Sequence, residues 1–287
     1  MEYSGYSKIN LSLDVVGRRD NGYHDLRMVM QTLQLRDLVD IEVEDSDETV
    51  INMTTSKEGL SCGEDNLCVK AAKLILSKCN KTARVTMHLV KNIPVAAGLA
   101  GGSADASAVL IGLNDMMKLG LSKKELMDMS VSLGADIPYC IMRGTALAEG
   151  IGEKLTPLTS MENYPIVIAK PPESVSTAYV YKNLDLDYIR HPDIDAQVEA
   201  INNRDIIGVT TYMGNVLESV TISQCPKIND IKRTMMANKA LNSMMSGSGS
   251  AVFGIFPNEH QASKVLSVLK KSGLCETVLI TYVYNGD

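Results

Sequence analysis

A run of small residues at positions 94–104 has the composition of a phosphate-binding loop, reading PVAAGLAGGSA. Small side chains let the backbone approach an anion closely and present successive N–H groups to it. The residues that follow, 106–114, are typical of a buried helix, whose N-terminus would add the positive end of its dipole. The pattern favours phosphate binding, and a tight turn before a buried helix is the alternative.

The loop matches none of the common nucleotide motifs. No Gly-Lys dipeptide occurs in the chain, which excludes a Walker P-loop. The dinucleotide fingerprint fails because Ala100 stands where Gly-x-Gly requires its second glycine. It fails again at Gly247 and Gly249, where Val252 occupies the position of a third glycine. The HRD and DFG signatures of protein kinases are absent. A nucleotide held by this loop is therefore held in another fold.

Two further segments carry residue types suited to phosphoryl or proton transfer. Lys8 and Asn10 are two residues apart, so a strand places both on one face. Asp136 lies in the segment Gly-Ala-Asp-Ile-Pro, where a rigid turn would hold a carboxylate ready to accept a proton. Each has a plainer interpretation: a solvated strand face for Lys8, and for Asp136 the N-cap of a short helix with Pro138 in its first turn.

Hydrophobic periodicity places these segments on a framework of strands and helices. The predicted strands are 8–16, 38–43, 83–90, 166–169 and 251–256. Helices are predicted over 66–79 and from 106 to near 120, and a further short element opens at 135–138. Ser122 and Glu125 form a capping-box pattern for another helix, which Gly134 ends. The order of elements indicates α+β packing, with a boundary near 155–164.

Composition excludes several classes of protein. The 287 residues carry a formal net charge of −6, which argues against a nucleic-acid coat because phosphate neutralisation needs a basic face. Apolar runs are too short to span a bilayer and the N-terminus lacks signal-peptide features, so we expect a cytoplasmic protein without membrane contact. The 6 cysteines form no Cys-x-x-Cys pair and are expected to be reduced, and the 4 histidines lack zinc-site spacing.

Taken together, these segments resemble the GHMP kinases, the family of galactose, homoserine, mevalonate and phosphomevalonate kinases. That family combines a lysine-bearing N-terminal strand, a Pro-x-x-x-Gly-Leu loop rich in small residues, and a C-terminal glycine-rich motif. The matching segments here are 8–11, 18–26, 94–104, 133–138, 148–153 and 245–250. Within the family they are most similar to the members that phosphorylate a cytidine diphosphate-linked polyol in the non-mevalonate route to isoprenoids.

The resemblance implies a two-lobed α+β fold. Its N-terminal, ATP-binding domain would span 1–157, with a mixed or antiparallel sheet and helices. Its C-terminal α/β domain would span 158–287, with the active site in the cleft between the lobes.

The resemblance also implies roles for individual residues in an ATP-dependent, Mg²⁺-using kinase. Asp136 is the implied base for the acceptor hydroxyl, and Lys8 would lie close to it, keep it ionised and stabilise developing negative charge. The residues implied to bind ATP are Pro94, Val95, Ala96, Ala97, Gly98, Leu99, Ala100, Gly101, Gly102, Ser103, Ala104 and Asn66. Family members often have a serine pair at the loop end, so a hydroxyl contact with Mg²⁺ falls here on Ser103 alone.

The implied acceptor is the 2-hydroxyl of the polyol, and a cytosine ring would be gripped by tyrosines. The chain has no Trp and 2 Phe but 11 Tyr, so tyrosines are its main aromatic surface. The residues implied to bind the substrate are Asn10, Tyr23, His24, Thr177, Tyr181, Gly247, Ser248 and Gly249. Tyr23 and His24 match cytosine-contacting positions and Tyr181 would complete the stack, although a packed core tyrosine is the alternative for Tyr181.

Two other functions compete with this one. A mevalonate or homoserine kinase is the nearer alternative, but those substrates contain no nucleobase for the Gly22-Tyr23-His24 segment to bind. A non-catalytic nucleotide sensor is the other, but a sensor has no need of Lys8 and Asp136. In each case we expect small-molecule ligands, no nucleic acid, and a monomer or weak homodimer.

Overall fold

The computed structural model of the chain describes residues 1–20 and 22–286. Its strands are β1 (Glu2–Arg18), β2 (His24–Glu44), β3 (Val50–Thr55), β4 (Arg84–Val90), β5 (Thr145–Gly150), β6 (Lys154–Pro157), β7 (Pro165–Lys170), β8 (Gly214–Asn215), β9 (Asn242–Met245), β10 (Val252–Ile255) and β11 (Thr277–Tyr282). Its helices are α1 (Leu67–Lys78), α2 (Gly101–Met116), α3 (Lys123–Ser130), α4 (Ile137–Met142), α5 (Thr177–Lys182), α6 (Ile194–Asn202), α7 (Ile206–Thr211), α8 (Glu218–Gln224), α9 (Lys227–Ala237) and α10 (Glu259–Lys271). A 3₁₀ turn spans Leu186–Tyr188. The predicted α+β class is confirmed.

The chain divides into two compact units that interleave along the sequence. Unit one consists of Met1–Ser7, Leu35–Ile93 and Ala100–Met142, and unit two consists of Lys8–Gln34, Pro94–Leu99 and Arg143–Asp287. Strands β1 and β2 therefore supply residues to both units. The division into continuous domains after residue 157 stays a prediction.

Unit one packs helices against a small mixed sheet. Strand β4 pairs antiparallel with residues 38–44 of β2 and parallel with β3. Along β4, exposed residues alternate with the buried Val85, Met87 and Leu89, which is the alternation that predicted this strand. Helices α1 and α2 pack on each other over this core, and α2 is buried along much of its length. Small residues make that possible: a Cβ at Gly112 would lie 2.7 Å from Ile41.

Several boundaries in unit one differ from the sequence-based prediction. Strand β3 was not predicted, because its residues are half-buried or exposed and do not alternate cleanly. Helix α2 ends at Met116, before the expected Gly120, since Lys118 takes a left-handed conformation with φ of 50°. Helix α3 ends at Ser130 rather than running to Gly134. Its predicted capping box is present, with Ser122 and Glu125 bonding reciprocally.

Unit two contains two groups of strands. In the first, the order is β6-β5-β2-β1-β8, with β5 antiparallel to residues 26–31 of β2 and β8 parallel to β1. The second is an antiparallel sheet with the order β11-β7-β10-β9. Strand β7 is buried throughout, and β10 leads directly out of a glycine-rich turn.

Two further observations bear on the predicted environment. Within the described part of the chain, no helix combines the length and the apolar character that a membrane span requires. The cysteines at positions 62, 68, 79, 140, 225 and 275 are free thiols.

Candidate functional site

Two glycine-containing segments of unit two pack directly against each other. One is the loop 94–99, and the other is the turn 246–250, called here the glycine turn. Gly98 has φ of +76°, and a Cβ there would lie 2.0 Å from the carbonyl oxygen of Ser246. The Ser246 hydroxyl donates to the Gly98 carbonyl at 2.9 Å, and the Ala251 N–H donates to the Ala97 carbonyl at 3.2 Å. Close approach of two backbones is thus what requires glycine at position 98.

Lys8 and Asn10 connect strand β1 to both of these segments. The Lys8 backbone N–H donates to the Leu99 carbonyl at 3.1 Å. Asn10 Oδ1 accepts from Lys8 Nζ at 2.8 Å and from the Gly247 N–H at 3.1 Å. Both side chains are buried, with 4% of Lys8 and 0% of Asn10 exposed, which excludes the solvated strand face considered for Lys8. A buried ammonium held by an asparagine that also binds the glycine turn is an arrangement suited to holding anionic groups.

Hydrogen bonds with two residues that were not predicted from the sequence hold the backbone of the glycine turn and of Met245 before it. Asn215, on β8, donates through Nδ2 to the carbonyls of Met245 at 2.9 Å and Gly247 at 2.8 Å. Glu218 Oε1 accepts from the Met245 N–H at 2.8 Å. In the sequence, Asn215 and Glu218 flank an apolar pair, which is a weak signal of burial. Nothing in that spacing indicates a turn some thirty residues later.

Besides the bond between Asn10 and Gly247, two contacts join predicted substrate residues of unit two. The hydroxyls of Thr177 and Ser248 lie 2.7 Å apart, which places the start of α5 on the glycine turn. The rings of His24 and Tyr181 lie 5.0 Å apart between centroids, with an interplanar angle of 35°. Tyr23, by contrast, is 59% exposed.

His24 carries an unused hydrogen-bonding atom. Its Nε2 is buried and has no hydrogen-bond partner among the described residues. Burial lowers the pKa of His24, and the positive charge of Arg18 lowers it further. The His24 ring therefore stays neutral at a lower pH than an ordinary histidine does. Its Nε2 is available to a polar ligand.

The second half of the phosphate-loop motif belongs to unit one and begins α2. Ala100 is the N-cap residue, with φ of 57°, and its side chain makes no capping hydrogen bond. The first turn of α2 is therefore not capped by its own N-cap side chain, which suits an external anion. Ala96 in the preceding loop has φ of 52°. The left-handed conformation costs alanine about 1 kcal/mol more than it costs glycine. Ala96 and Ala100 therefore adopt a backbone conformation that glycine would adopt with less strain.

Asp136 and Asn66, also in unit one, occupy the starts of helices. Asp136 is half-buried, directly precedes α4, and accepts at its carbonyl from the Cys140 N–H at 3.0 Å. Asn66 caps α1: its Oδ1 accepts from the Cys68 N–H at 2.8 Å, and its Nδ2 donates to the Ser61 carbonyl at 2.6 Å. The Asn66 side chain thus has a local structural role, and its predicted contact with ATP stays a prediction.

A buried group of charges lies beside the start of α2 and was not foreseen from the sequence. It consists of Asp37, Lys91 and Asp105, called here the charged cluster. Lys91 Nζ donates to Asp37 Oδ2 and, at 2.8 Å, to Asp105 Oδ2. Asp37 Oδ1 accepts from the backbone N–H groups of Asn92 at 2.5 Å and Ile93 at 2.8 Å. The three side chains are 0–5% exposed, and Asp105 Oδ1 is buried with no partner among the described residues.

The charged cluster shifts the ionisation of its members in a definite direction. Burial raises the pKa of Asp105 to about 8, with Lys91 opposing the shift and Asp37 adding to it. The two carboxyl groups raise the pKa of Lys91 in spite of its burial. Lys91 therefore stays charged, while Asp105 holds its proton into the neutral range.

This shift predicts a pH-dependent stability. An unfolded Asp loses its proton near pH 4, whereas folded Asp105 keeps it to about pH 8, so the contribution of this group to the free energy of unfolding falls as pH rises between those values. Asparagine imitates the neutral acid. Urea unfolding should therefore show Asp105→Asn gaining stability relative to wild type from pH 5 to pH 8, by at most about 1.4 kcal/mol per pH unit. A difference independent of pH would contradict the shift.

Comparison with known proteins identifies relatives over nearly the whole chain. The family models of the GHMP kinases N terminal domain and the GHMP kinases C terminal match residues 66–144 and 197–274. The chain is 49% identical over 279 residues to the 4-diphosphocytidyl-2-C-methyl-D-erythritol kinase of Lachnospira eligens, covering 97% of this chain and 96% of that protein.

Solved structures show the same relationship. The crystal structure of a 4-(cytidine 5'-diphospho)-2C-methyl-D-erythritol kinase matches with a TM-score of 0.84 and 28% identity, covering 100% of both chains. The structure of L. major mevalonate kinase in complex with R-mevalonate matches with a TM-score of 0.77, covering 100% of this chain and 96% of that one. At 14% identity, the second match shows a shared fold alone.

Proposed function

The chain belongs to the GHMP kinase family, and from that premise we propose that it transfers the γ-phosphoryl group of ATP to the 2-hydroxyl of 4-diphosphocytidyl-2-C-methyl-D-erythritol. Membership of the family makes it a small-molecule kinase. The observation that carries the choice of substrate is the near-full-length similarity to a relative of that name. Mevalonate and homoserine kinases are similar at the level of the fold, at 14% and 17% identity.

Phosphoryl transfer asks the protein mainly to align the reactants and to neutralise charge on the transferred group. In our proposal the loop 94–104 binds the phosphates of ATP through backbone N–H groups and the uncapped start of α2. Lys8 supplies positive charge as the transition state forms. The buried hydrogen bond from Lys8 Nζ to Asn10 supports this role, because it fixes the ammonium in place before substrate arrives.

Asp136 is the proposed general base. It would accept the proton of the 2-hydroxyl while that oxygen attacks the γ-phosphorus, and ADP would leave with the bridging oxygen. The support is the match of the segment Gly-Ala-Asp-Ile-Pro to the family motif, and the half-buried position of Asp136 at the start of α4.

Mg²⁺ is the proposed metal cofactor, and the residues present fit an ion held largely by phosphates. Among residues 1–20 and 22–286, no cluster of three or more His, Cys, Asp or Glu side chains is placed to hold a metal. Mg²⁺ commonly keeps several waters and uses one or two protein ligands together with substrate phosphates, so such a cluster is not required. Ser103, half-buried in the first turn of α2, is the proposed hydroxyl contact. When bound, Mg²⁺ would neutralise charge on the phosphates.

His24 and Tyr181 are the proposed contacts for cytosine, with Tyr23, Thr177 and the glycine turn completing the substrate site. The adjacent rings of His24 and Tyr181 and the unpartnered His24 Nε2 support this assignment. Stacking of a base on an aromatic ring contributes about 1–3 kcal/mol.

We therefore expect Tyr181→Ala to raise KM for the cytidine substrate about tenfold or more, with KM for ATP unchanged. Tyr188→Ala is the matched control, since Tyr188 is 88% exposed and should be silent. Steady-state kinetics with each substrate varied in turn measure both constants. An equal change in both KM values would assign Tyr181 to packing instead.

The proposed substrate is tested by an acceptor panel. Purified protein with MgATP is offered 4-diphosphocytidyl-2-C-methyl-D-erythritol, mevalonate or homoserine, and ADP release is followed. We expect turnover with the first acceptor alone. Phosphorylation of mevalonate or homoserine would overturn the substrate assignment, and binding of ATP without turnover of any acceptor would favour a nucleotide sensor.

We also propose a cytoplasmic location and a monomer or weak homodimer acting on small molecules. Free thiols at all the cysteine positions support a reducing compartment.

A further inference from the structure

The charged cluster joins three segments of unit one at the place where the phosphate loop begins and ends. Asp37, on β2, holds the backbone N–H groups of Asn92 and Ile93, the last residues before the loop. Lys91 extends from the same segment to Asp105 in the second turn of α2, which follows the loop. Asp105 directly follows the loop 94–104, and Asp37 binds the two residues that directly precede it.

Stability alone is a poor explanation for such a cluster. Buried ion pairs lose much of their attraction to desolvation and contribute little net stability. A function that requires fixed geometry explains why charged side chains occupy positions where apolar side chains would give equal or greater stability.

We propose that Asp105, Lys91 and Asp37 are positioning residues that set the affinity for ATP, by holding the first turns of α2 at a fixed distance from the residues that precede the phosphate loop. This inference rests on the proposed function, in which that loop binds ATP. The Lys91 ammonium packs closely against the first residue of α2. A Cβ on Gly101 would lie 3.2 Å from Lys91 Nζ and 3.2 Å from Ile93 Cγ2.

Two substitutions of Asp105 separate loss of the contact with Lys91 from a mere change of chemical group. Asp105→Ala removes the acceptor for Lys91 but leaves Lys91 and Asp37 as a charge-balanced pair, so the core should still fold. Asp105→Asn replaces the protonated carboxyl by a neutral amide of the same size and keeps an oxygen for Lys91 to bind. Asp115→Ala is the matched control: Asp115 lies at the other end of α2, where its side chain accepts from the Tyr3 hydroxyl at 2.6 Å.

The measurements are the Kd for MgATP by calorimetry and KM for each substrate, at a temperature where circular dichroism shows every variant folded. We expect Asp105→Ala to raise Kd and KM for ATP about tenfold or more, because small displacements of a binding loop weaken ligand alignment steeply. KM for the cytidine substrate should be unchanged. Asp105→Asn and Asp115→Ala should bind ATP like wild type. If Asp105→Ala does not fold, Asp105→Leu, which fills the space with methyl groups, takes its place under the same expectation.

The outcomes are distinguishable. Folded Asp105→Ala or Asp105→Leu that binds ATP as wild type does would overturn the positioning role while leaving the proposed function intact. Loss of ATP affinity in Asp105→Asn equal to that in Asp105→Ala would also overturn it, since keeping the contact with Lys91 would then make no difference. Wild-type protein that does not bind ATP would contradict the proposed function and this inference together.

Discussion

Replacing Asp136 by asparagine is expected to lower kcat about 10²–10⁴-fold, the usual contribution of a general base. Asparagine keeps the size and hydrogen-bonding capacity of the side chain but cannot take a proton from the acceptor hydroxyl. KM for ATP and for the cytidine substrate should change little, because the lost interaction belongs to the transition state. Steady-state kinetics and a single-turnover measurement would establish that the chemical step is the one slowed.

Asp128→Asn is the control for this substitution. Asp128 lies on α3 in the same unit, 64% exposed and paired with Lys124 at 2.5 Å, so its loss should leave kcat unchanged. Near-normal turnover in Asp136→Asn would remove Asp136 from the reaction and favour its plainer role at the start of α4.

Replacing Gly98 by alanine is expected to destabilise the protein by about 3 kcal/mol or more. Two costs combine there. The left-handed backbone, with φ of +76°, is unfavourable for alanine, and the new Cβ would stand 2.0 Å from the Ser246 carbonyl oxygen. That oxygen belongs to backbone rather than to a flexible side chain, so either the loop 94–99 or the glycine turn must move.

Gly59 provides a matched control, because it has the same φ of +76° with nothing within 4 Å of an added Cβ. Gly59→Ala should cost only the conformational part, about 1 kcal/mol. Urea unfolding of both variants measures the difference directly. Equal losses of stability would show that the contact between the loop 94–99 and the glycine turn contributes nothing, and would contradict the close packing of these two segments.

The segments that carry candidate functional residues were predictable from the sequence, because each is recognised from residues that are neighbours in the chain. The small residues of the loop, the alternation that places Lys8 and Asn10 on one face, and the capping box at Ser122 each follow from neighbouring residues. Strand and helix positions in β4 and α1 follow for the same reason, because burial there is periodic.

Interactions between distant segments were not predictable in this way. Asp37, Lys91 and Asp105 meet only in the folded chain, and each alone reads as an exposed surface charge. The support of the glycine turn by Asn215 also joins segments that are distant in sequence. The assignment of residues to the two compact units changes within strands β1 and β2, and no composition change marks those two points.

The most direct test of the central claim is the phosphorus NMR spectrum of the product formed from MgATP and 4-diphosphocytidyl-2-C-methyl-D-erythritol. Carbon 2 of the acceptor carries a methyl group and no hydrogen, so a phosphate on its hydroxyl has no three-bond coupling to a proton. We predict a new phosphomonoester singlet that appears together with ADP. A phosphomonoester split by protons on its carbon, or no phosphomonoester at all, would contradict the proposed reaction.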